Sequence, residues 1–395
     1  NHAGTVAETD VKIMQGTPAE VYGGNNLGGT ATLTQVSIQG GTIPKVYGGG
    51  FQASTGTTNV NLIGWTVTNA FGGGASADVT TKANVTLNGS TINNNIYGGS
   101  DQSGTVTETL VKIQQGTVSN VYGGNNIGGT ATLTHVEINN GTIQNVYGGG
   151  FQANSGTTNV DLLGGTINNG FGGGESANVT TKANITLNGT TVNNNIYGGS
   201  NQAGTVADTL VTITRGTPKN VYGGNNLGGT ATVTHVEING GSIPNVYGGG
   251  YSADSGTTNV NLTAGTITNW FVGRESADVT VETNITLNIG TTVNGKIYGG
   301  SNQAGEVEET NVIIVKGYPE AVFGGNNLGG VAGTTNVTIQ SGEIEEVYGG
   351  GFQAVTIATN VELTGGLVTN VFGGGQAANA GTTSVLVNGG KAKTV

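Results

Sequence analysis

The sequence predicts an all-β fold, a parallel β-solenoid of about sixteen coils of 24–27 residues, and three observations predict it. An aromatic residue returns at nearly constant spacing. A Val-x-Ile column returns in phase with it. Glycine makes up 76 of 395 residues against 5 prolines, and no segment keeps a 3.6-residue period over three turns.

The aromatics set the period. They fall at Tyr22, Tyr47, Phe71, Tyr97, Tyr122, Tyr147, Phe171, Tyr197, Tyr222, Tyr247, Phe271, Tyr298, Phe323, Tyr348 and Phe372, in steps of 25, 25, 24 and 26 that repeat with small changes. A coil of that length has room for about three short strands. The aliphatic column shows the strand period of two, from Val11/Ile13 and Val36/Ile38 through Val136/Ile138 to Val385/Val387. Alternating β-branched residues argue for strands with one buried face. Each coil of a solenoid contacts only its neighbours, so residues 1–395 read as one solenoid rather than as two or three globular domains.

A second period of about 100 residues, a four-coil superperiod, lies over the first. Loops of four kinds follow the aromatics in fixed order. The first is Gly-Gly-Asn-Asn-Leu/Ile-Gly-Gly, as at 23–29 and 123–129. The second carries Phe51, Phe151, Tyr251 or Phe352 after a glycine run. A Gly-rich Ser-Ala loop and a Gly-Gly-Ser-Asx-Gln loop complete the set, which reads as a tandemly duplicated cassette.

Asn precedes the aliphatic-aromatic pair at Asn69, Asn95, Asn120, Asn145, Asn169, Asn195, Asn220, Asn245, Asn269 and Asn370. Asn tolerates the left-handed region, so a sharp bend is expected there. Lys45, Lys296, Glu20 and Glu346 take the same place, which puts this corner in water. The glycines after each aromatic are expected at positive φ.

The coil length, the Val-x-Ile columns and the Asn bend resemble the right-handed parallel β-helix of pectate lyase-like proteins and autotransporter passengers. Gly-Gly-Thr-Ile-x-Asn-Val-Tyr-Gly-Gly is similar to glycine-rich repeats of large bacterial surface proteins. The resemblance covers the whole chain. It implies a right-handed coil, as crossover connections prefer, and an extracellular or bacterial cell-surface location.

Net charge is −11 with only 12 basic residues, which leaves no basic stripe for nucleic acid and no polybasic membrane patch. No apolar run approaches 18 residues, so membrane insertion is not expected. With no cysteine, disulfides and thiolate metal sites are excluded.

A lyase or hydrolase needs clustered Asp, Glu, Arg, Lys or His on one face. The only histidines are His2, His135 and His235, the latter two in Thr-His-Val-Glu-Ile strands a cassette apart and expected to face solvent. Glu175, Glu275 and Arg274 have no counterparts at 72–77 and read as drift in an exposed loop. The glycine runs lack the Asp of calcium-binding nonapeptides. The chain therefore reads as a non-enzyme with no catalytic residue, no metal site and no cofactor.

The aromatic ladder is expected inside the solenoid or at a corner. The column beside it holds Ala70, Gly170 and Trp270, a spread of volumes that a tight core resists. Two sets are candidate surface contacts. Phe51, Phe151, Tyr251 and Phe352 would recur roughly every 19 Å, four strand spacings apart, unless they fold back on the coil. Asn25 and Asn26, Asn125 and Asn126, Asn225 and Asn226, and Asn326 and Asn327 suit sugar hydroxyls and equally suit tight turns. An ice-binding reading rests on Thr30-Ala31-Thr32 and the column Thr42, Thr66, Thr91, Thr117 and Thr142, and that column fails at Tyr318, Glu343, Leu367 and Lys391.

The function expected is that of a non-enzymatic stalk, adhesin or fibre-forming repeat segment. Carbohydrate binding or processing is the alternative and ice binding a minor one. Partners would be the chain itself or adjoining repeats, with glycans or a host surface as further candidates. Asn1 is in phase with Asp101 and Val395 with Ile96, which suits either a segment of a longer array or head-to-tail stacking of copies.

Overall fold

The computed structural model describes residues 4–395, so Asn1 and His2, and the expectations that fall on them, lie outside the described residues. It is an all-β parallel solenoid of about 16 turns with no helix, and its parallel strands agree with a right-handed β-helix. Contacts divide the chain into two compact units, Asn1–Asn193 with Ser200–Ala207, and Asn194–Gly199 with Asp208–Val395.

Most turns have two strands, some run as one long strand such as Val79–Tyr97, and the three short strands suggested by the sequence occur where Val179–Asn188, Thr191–Val192 and Asn195–Tyr197 follow one another. In the first unit, Thr30–Ile38 lies between Thr5–Ile13 and Thr55–Leu62, and Thr42–Tyr47 between Glu20–Tyr22 and Thr66–Phe71. In the second, Val331–Ile339 lies between Glu306–Ile314 and Val355–Leu363, and Glu343–Tyr348 between Ala321–Phe323 and Leu367–Phe372. The third side of the turn is the glycine loop. It stacks by backbone hydrogen bonds without being a strand, as in Phe51 N–H to Asn25 C=O, Ser76 N–H to Phe51 C=O and Gln102 N–H to Ala75 C=O.

The core runs up the middle of the turns. Val36, Ile38, Ile43 and Val46 are all fully buried, and so are their counterparts Val337, Ile339, Ile344 and Val347 to within a few per cent. Registers pair like with like, Val36 with Val60 and Val60 with Val85. In these columns an apolar side chain meets another one strand spacing away.

The bends are made differently from the expectation. Among the described residues none other than glycine has positive φ, and Asn69, Asn95, Asn120 and the rest of that column lie within strands. Instead of turning the chain, they hydrogen bond to one another. Asn120 Nδ2 donates to Asn95 Oδ1 (3.0 Å), Asn145 to Asn120 (3.0 Å) and Asn169 to Asn145 (3.0 Å), and the second unit repeats this from Asn195 to Asn269. The bends fall to other glycines, such as Gly41 (φ 90°) and Gly64 (φ 82°).

The glycines after the aromatics do not have positive φ. They are required for another reason: a Cβ on Gly48 would strike the carbonyl oxygen of Gly72 and a methyl of Val60 in the next turn. Backbones approach there too closely for a side chain unless they shift, and after Phe271 the equivalent place is taken by the buried Val272.

The column holding Ala70, Gly170 and Trp270 is buried from Val21 to Val371, contrary to what its spread of volumes suggested. Val46 and Tyr47 are adjacent yet both sequestered, because the strand ends there. The aliphatic side chain enters the core and the ring goes under the glycine loop.

Candidate functional site

The rings form parallel stacks. From Tyr22 to Phe171 successive centroids lie 4.7–5.0 Å apart, and from Tyr197 to Phe372 they lie 4.7–5.1 Å apart. The spacing is that of the strands themselves. Tyr47, Phe71, Tyr97 and Tyr122 are nearly fully buried, so the ladder is a covered corner.

Its cover includes polar groups from loops two turns further on. The Tyr47 hydroxyl donates to Asp101 Oδ2 (2.9 Å), which Lys45 Nζ also approaches (3.1 Å), and Asn126 Nδ2 donates to Asp101 Oδ1 (2.7 Å). Burial pushes the Asp101 carboxyl up. The bonds from Asn126, Tyr47 and Lys45 outweigh it and hold the group below its ordinary value. Asn201 Nδ2 reaches the Tyr147 hydroxyl (3.2 Å) in the same manner. Burial raises the ladder tyrosines generally, Tyr97 and Tyr197 to about 12, with Asn95 and Asn195 pulling the other way.

Phe51, Phe151, Tyr251 and Phe352 fold back on this ladder. They meet Tyr22, Tyr122, Tyr222 and Phe323 edge to face at 5.8–5.9 Å. Phe51 and Tyr251 keep 37% and 39% of their surface exposed, so one edge of the ring still faces water. Beside them Leu27, Ile127, Leu227 and Leu328 are about half exposed. Within each unit the two copies hold equivalent places.

The Asn pairs separate into two roles. Asn125, Asn225 and Asn326 are fully buried and cannot be surface contacts. Asn125 Oδ1 accepts from Ser100 N–H (2.9 Å) while its Nδ2 donates to Gly104 C=O (2.8 Å) and Gly128 C=O (3.1 Å). The side chain staples its own loop to the preceding one, with both amide N–H donors and one acceptor site of the oxygen in use. Asn25, near the first turn, makes the corresponding bonds at 3.3–3.4 Å and is half-buried. The second residues, Asn26, Asn126, Asn226 and Asn327, reach solvent at least in part.

Arg274 and Glu275 are not drift in an exposed loop. Arg274 is fully buried, paired with Asp254 (3.0 Å), with Nε and Nη2 unpartnered, and burial pulls its pKa down to about 10 despite Asp254. Glu275 is 9% exposed and accepts from Asn302 and Gln303. The loop here has Val272 and Arg274 where the corresponding loop has Gly72 and Gly74. Arg274 lies over Gly249, which leaves no room for a Cβ there. His135 and His235 are half-buried on strands, beside Asp161 (2.8 Å) and Asp208 (3.6 Å). Among the described residues no three His, Cys, Asp or Glu side chains converge as metal ligands.

One repeated feature escaped the sequence reading. A threonine two residues before the Val-x-Ile column points inward and donates its hydroxyl to the glycine carbonyl 14 residues on. Thr34, Thr58, Thr109, Thr134 and Thr158 do so at 2.5–2.6 Å in the first unit. Thr209, Thr234, Thr310, Thr335 and Thr359 do so at 2.5–2.6 Å in the second. The available signal was Thr-x-Val-x-Ile with all three positions in phase. No protein-family model, curated protein or solved structure matches the chain.

Proposed function

We propose that the chain is a non-enzymatic structural segment of an extracellular protein, a stalk, adhesin or fibre of the glycine-rich bacterial surface kind. One observation carries this. The groups that recur turn after turn, namely rings, core aliphatics and strand amides, contact the same group in the neighbouring turn. Such axial contacts make a solenoid whose stability is a sum over turns and interfaces, suited to span distance. Its partners in this role are adjoining repeats or further copies of itself.

Antibody raised against the segment should label intact source cells, and incubation with a panel of polysaccharides should release no product. New reducing ends or unsaturated uronides from any of them would overturn the reading. A weight-average mass from light scattering that rises with concentration would show copies adding to one another, and a constant monomer mass would leave adjoining repeats as the partner.

A further inference from the structure

The first unit carries a second threonine ladder, on the outside. Thr66, Thr91, Thr117, Thr142, Thr166 and Thr191 stand in register in successive turns. All are wholly or partly exposed, and none of their hydroxyls bonds to another group among the described residues. The inner ladder uses its hydroxyls to hold turns together, whereas this one leaves them free.

Two or so positions further along each strand lies a second outward column that includes Asn93, Ser119, Gln144, Asn168 and Asn193. The two columns form a shallow groove of about 330 Å³ that crosses five turns. Charge is missing from it. The stretches 63–69, 88–96, 114–120, 139–145, 163–169 and 188–193 contain no Asp, Glu, Lys or Arg, in a chain whose net charge is −11.

We infer that this groove binds an uncharged polysaccharide laid along the turns. Hydroxyls and carboxamides both donate and accept, as sugar hydroxyls do. A face without charge matches a chain without charge, since a uronate or amino sugar would call for an opposite partner. The same groups return every ~4.8 Å, so a polymer engages several turns at once where a single sugar engages one, and affinity grows by multivalency. Trp65, half exposed, sits in the bend just before Thr66, and its carbonyl accepts from Thr91 N–H. Its backbone thus adjoins the Thr91 end of the groove, and an indole combines an apolar ring with a polar N–H. An ice lattice would need a flat, uniform face. Here the second column ranges from Ser119 to Gln144 in length and the surface is troughed.

This goes beyond the structural role, and loss of binding would leave that role standing. The test is retention of the purified chain on insoluble cellulose, chitin and starch. Affinity electrophoresis is run in parallel with xylan, galactomannan and mixed-linkage glucan, using polygalacturonate as the charged control. At least one neutral polysaccharide should retain the chain, with little dependence on salt. Thr117→Glu with Thr142→Glu should weaken retention at least tenfold at unchanged melting temperature. Gln144→Ala with Asn168→Ala is the milder second variant, for which a several-fold loss is expected. Trp270 is fully buried, so a fluorescence change on binding reports Trp65. The inference is overturned by no retention on any neutral polysaccharide, by retention that neither variant changes, or by ice shaping without polysaccharide retention.

Discussion

The two units share an interior and differ outside. Both have the ring stack, the inner threonine hydroxyls and the strand amides in the same relation. On the outer face of the short strands the first unit presents threonine in turn after turn. The second passes from Thr266 and Thr292 to Tyr318 and then to Glu343, Leu367 and Lys391 in register. A side chain that touches its own copy in the next turn cannot change alone. One that touches only water is constrained by strand propensity and by whatever it binds. Retained neutrality over six turns of one unit is therefore a signal that the other unit lacks.

The sharpest way to break this contrast is to place a charge on each side of one turn. Val136→Asp strands a carboxylate in the core and should cost about 3–5 kcal/mol, while Thr142→Asp should leave the melting temperature nearly unchanged. Equal melting of the two variants would remove the assignment of inside and outside.

Next in size is backbone crowding. Gly148→Ala pushes a methyl against the Gly172 carbonyl and the Thr158 side chain and should cost about 1–3 kcal/mol. At Gly374 the same change meets only Ala380 Cβ at 3.7 Å and should be close to neutral. Chemical denaturation of both variants decides whether crowding or mere glycine composition is the requirement.

Removing one inner hydroxyl is smaller still. Thr134→Val should cost about 1 kcal/mol, against less than about 0.5 kcal/mol for Thr142→Val on the outer face. The chain tolerates such a loss: Ala83 stands in the inner threonine position, packed with Val79 and Val106.

The least effect is expected from pH. The Asp101 carboxyl is held below its ordinary value, so its contribution to stability is fully present above the unfolded pKa of about 3.9. It disappears as pH falls through the lower folded value. Asp101→Asn should flatten the melting curve only in that acid window. Parallel curves for parent and variant from pH 5 to 2 would show that the bonds from Tyr47, Lys45 and Asn126 add nothing.

Parallel strands and the aliphatic columns were legible because burial imposes a period of two within a period of 25. The inner threonine was not, because polarity suggests the surface. Only the carbonyl 14 residues on reveals that Thr134 faces inward. Asn120 misled in the same way: residue type favours a bend, whereas stacking gives its amide an identical partner one strand spacing away. Arg274 read as drift in an exposed loop because it has no counterpart at 72–77, and the crowding over Gly249 that buries it has no trace in local sequence. The outer ladder was visible as a column, but its free hydroxyls and its groove required the coordinates.

The reach of Asp101 back to Tyr47, 54 residues earlier, bears on how such a gene changes length. A crossover between neighbouring coils removes about 25 residues and slides each later loop onto a ring chosen for a different one. Tyr47 would then lose its carboxylate, and a Gly-Gly-Ser-Asx-Gln loop would lie where another kind belongs. A crossover between cassettes removes about 100 residues and returns every loop to an equivalent ring. Unequal recombination should therefore shorten or lengthen alleles in steps of four coils, because intermediate lengths arise as DNA but fold with mismatched loops.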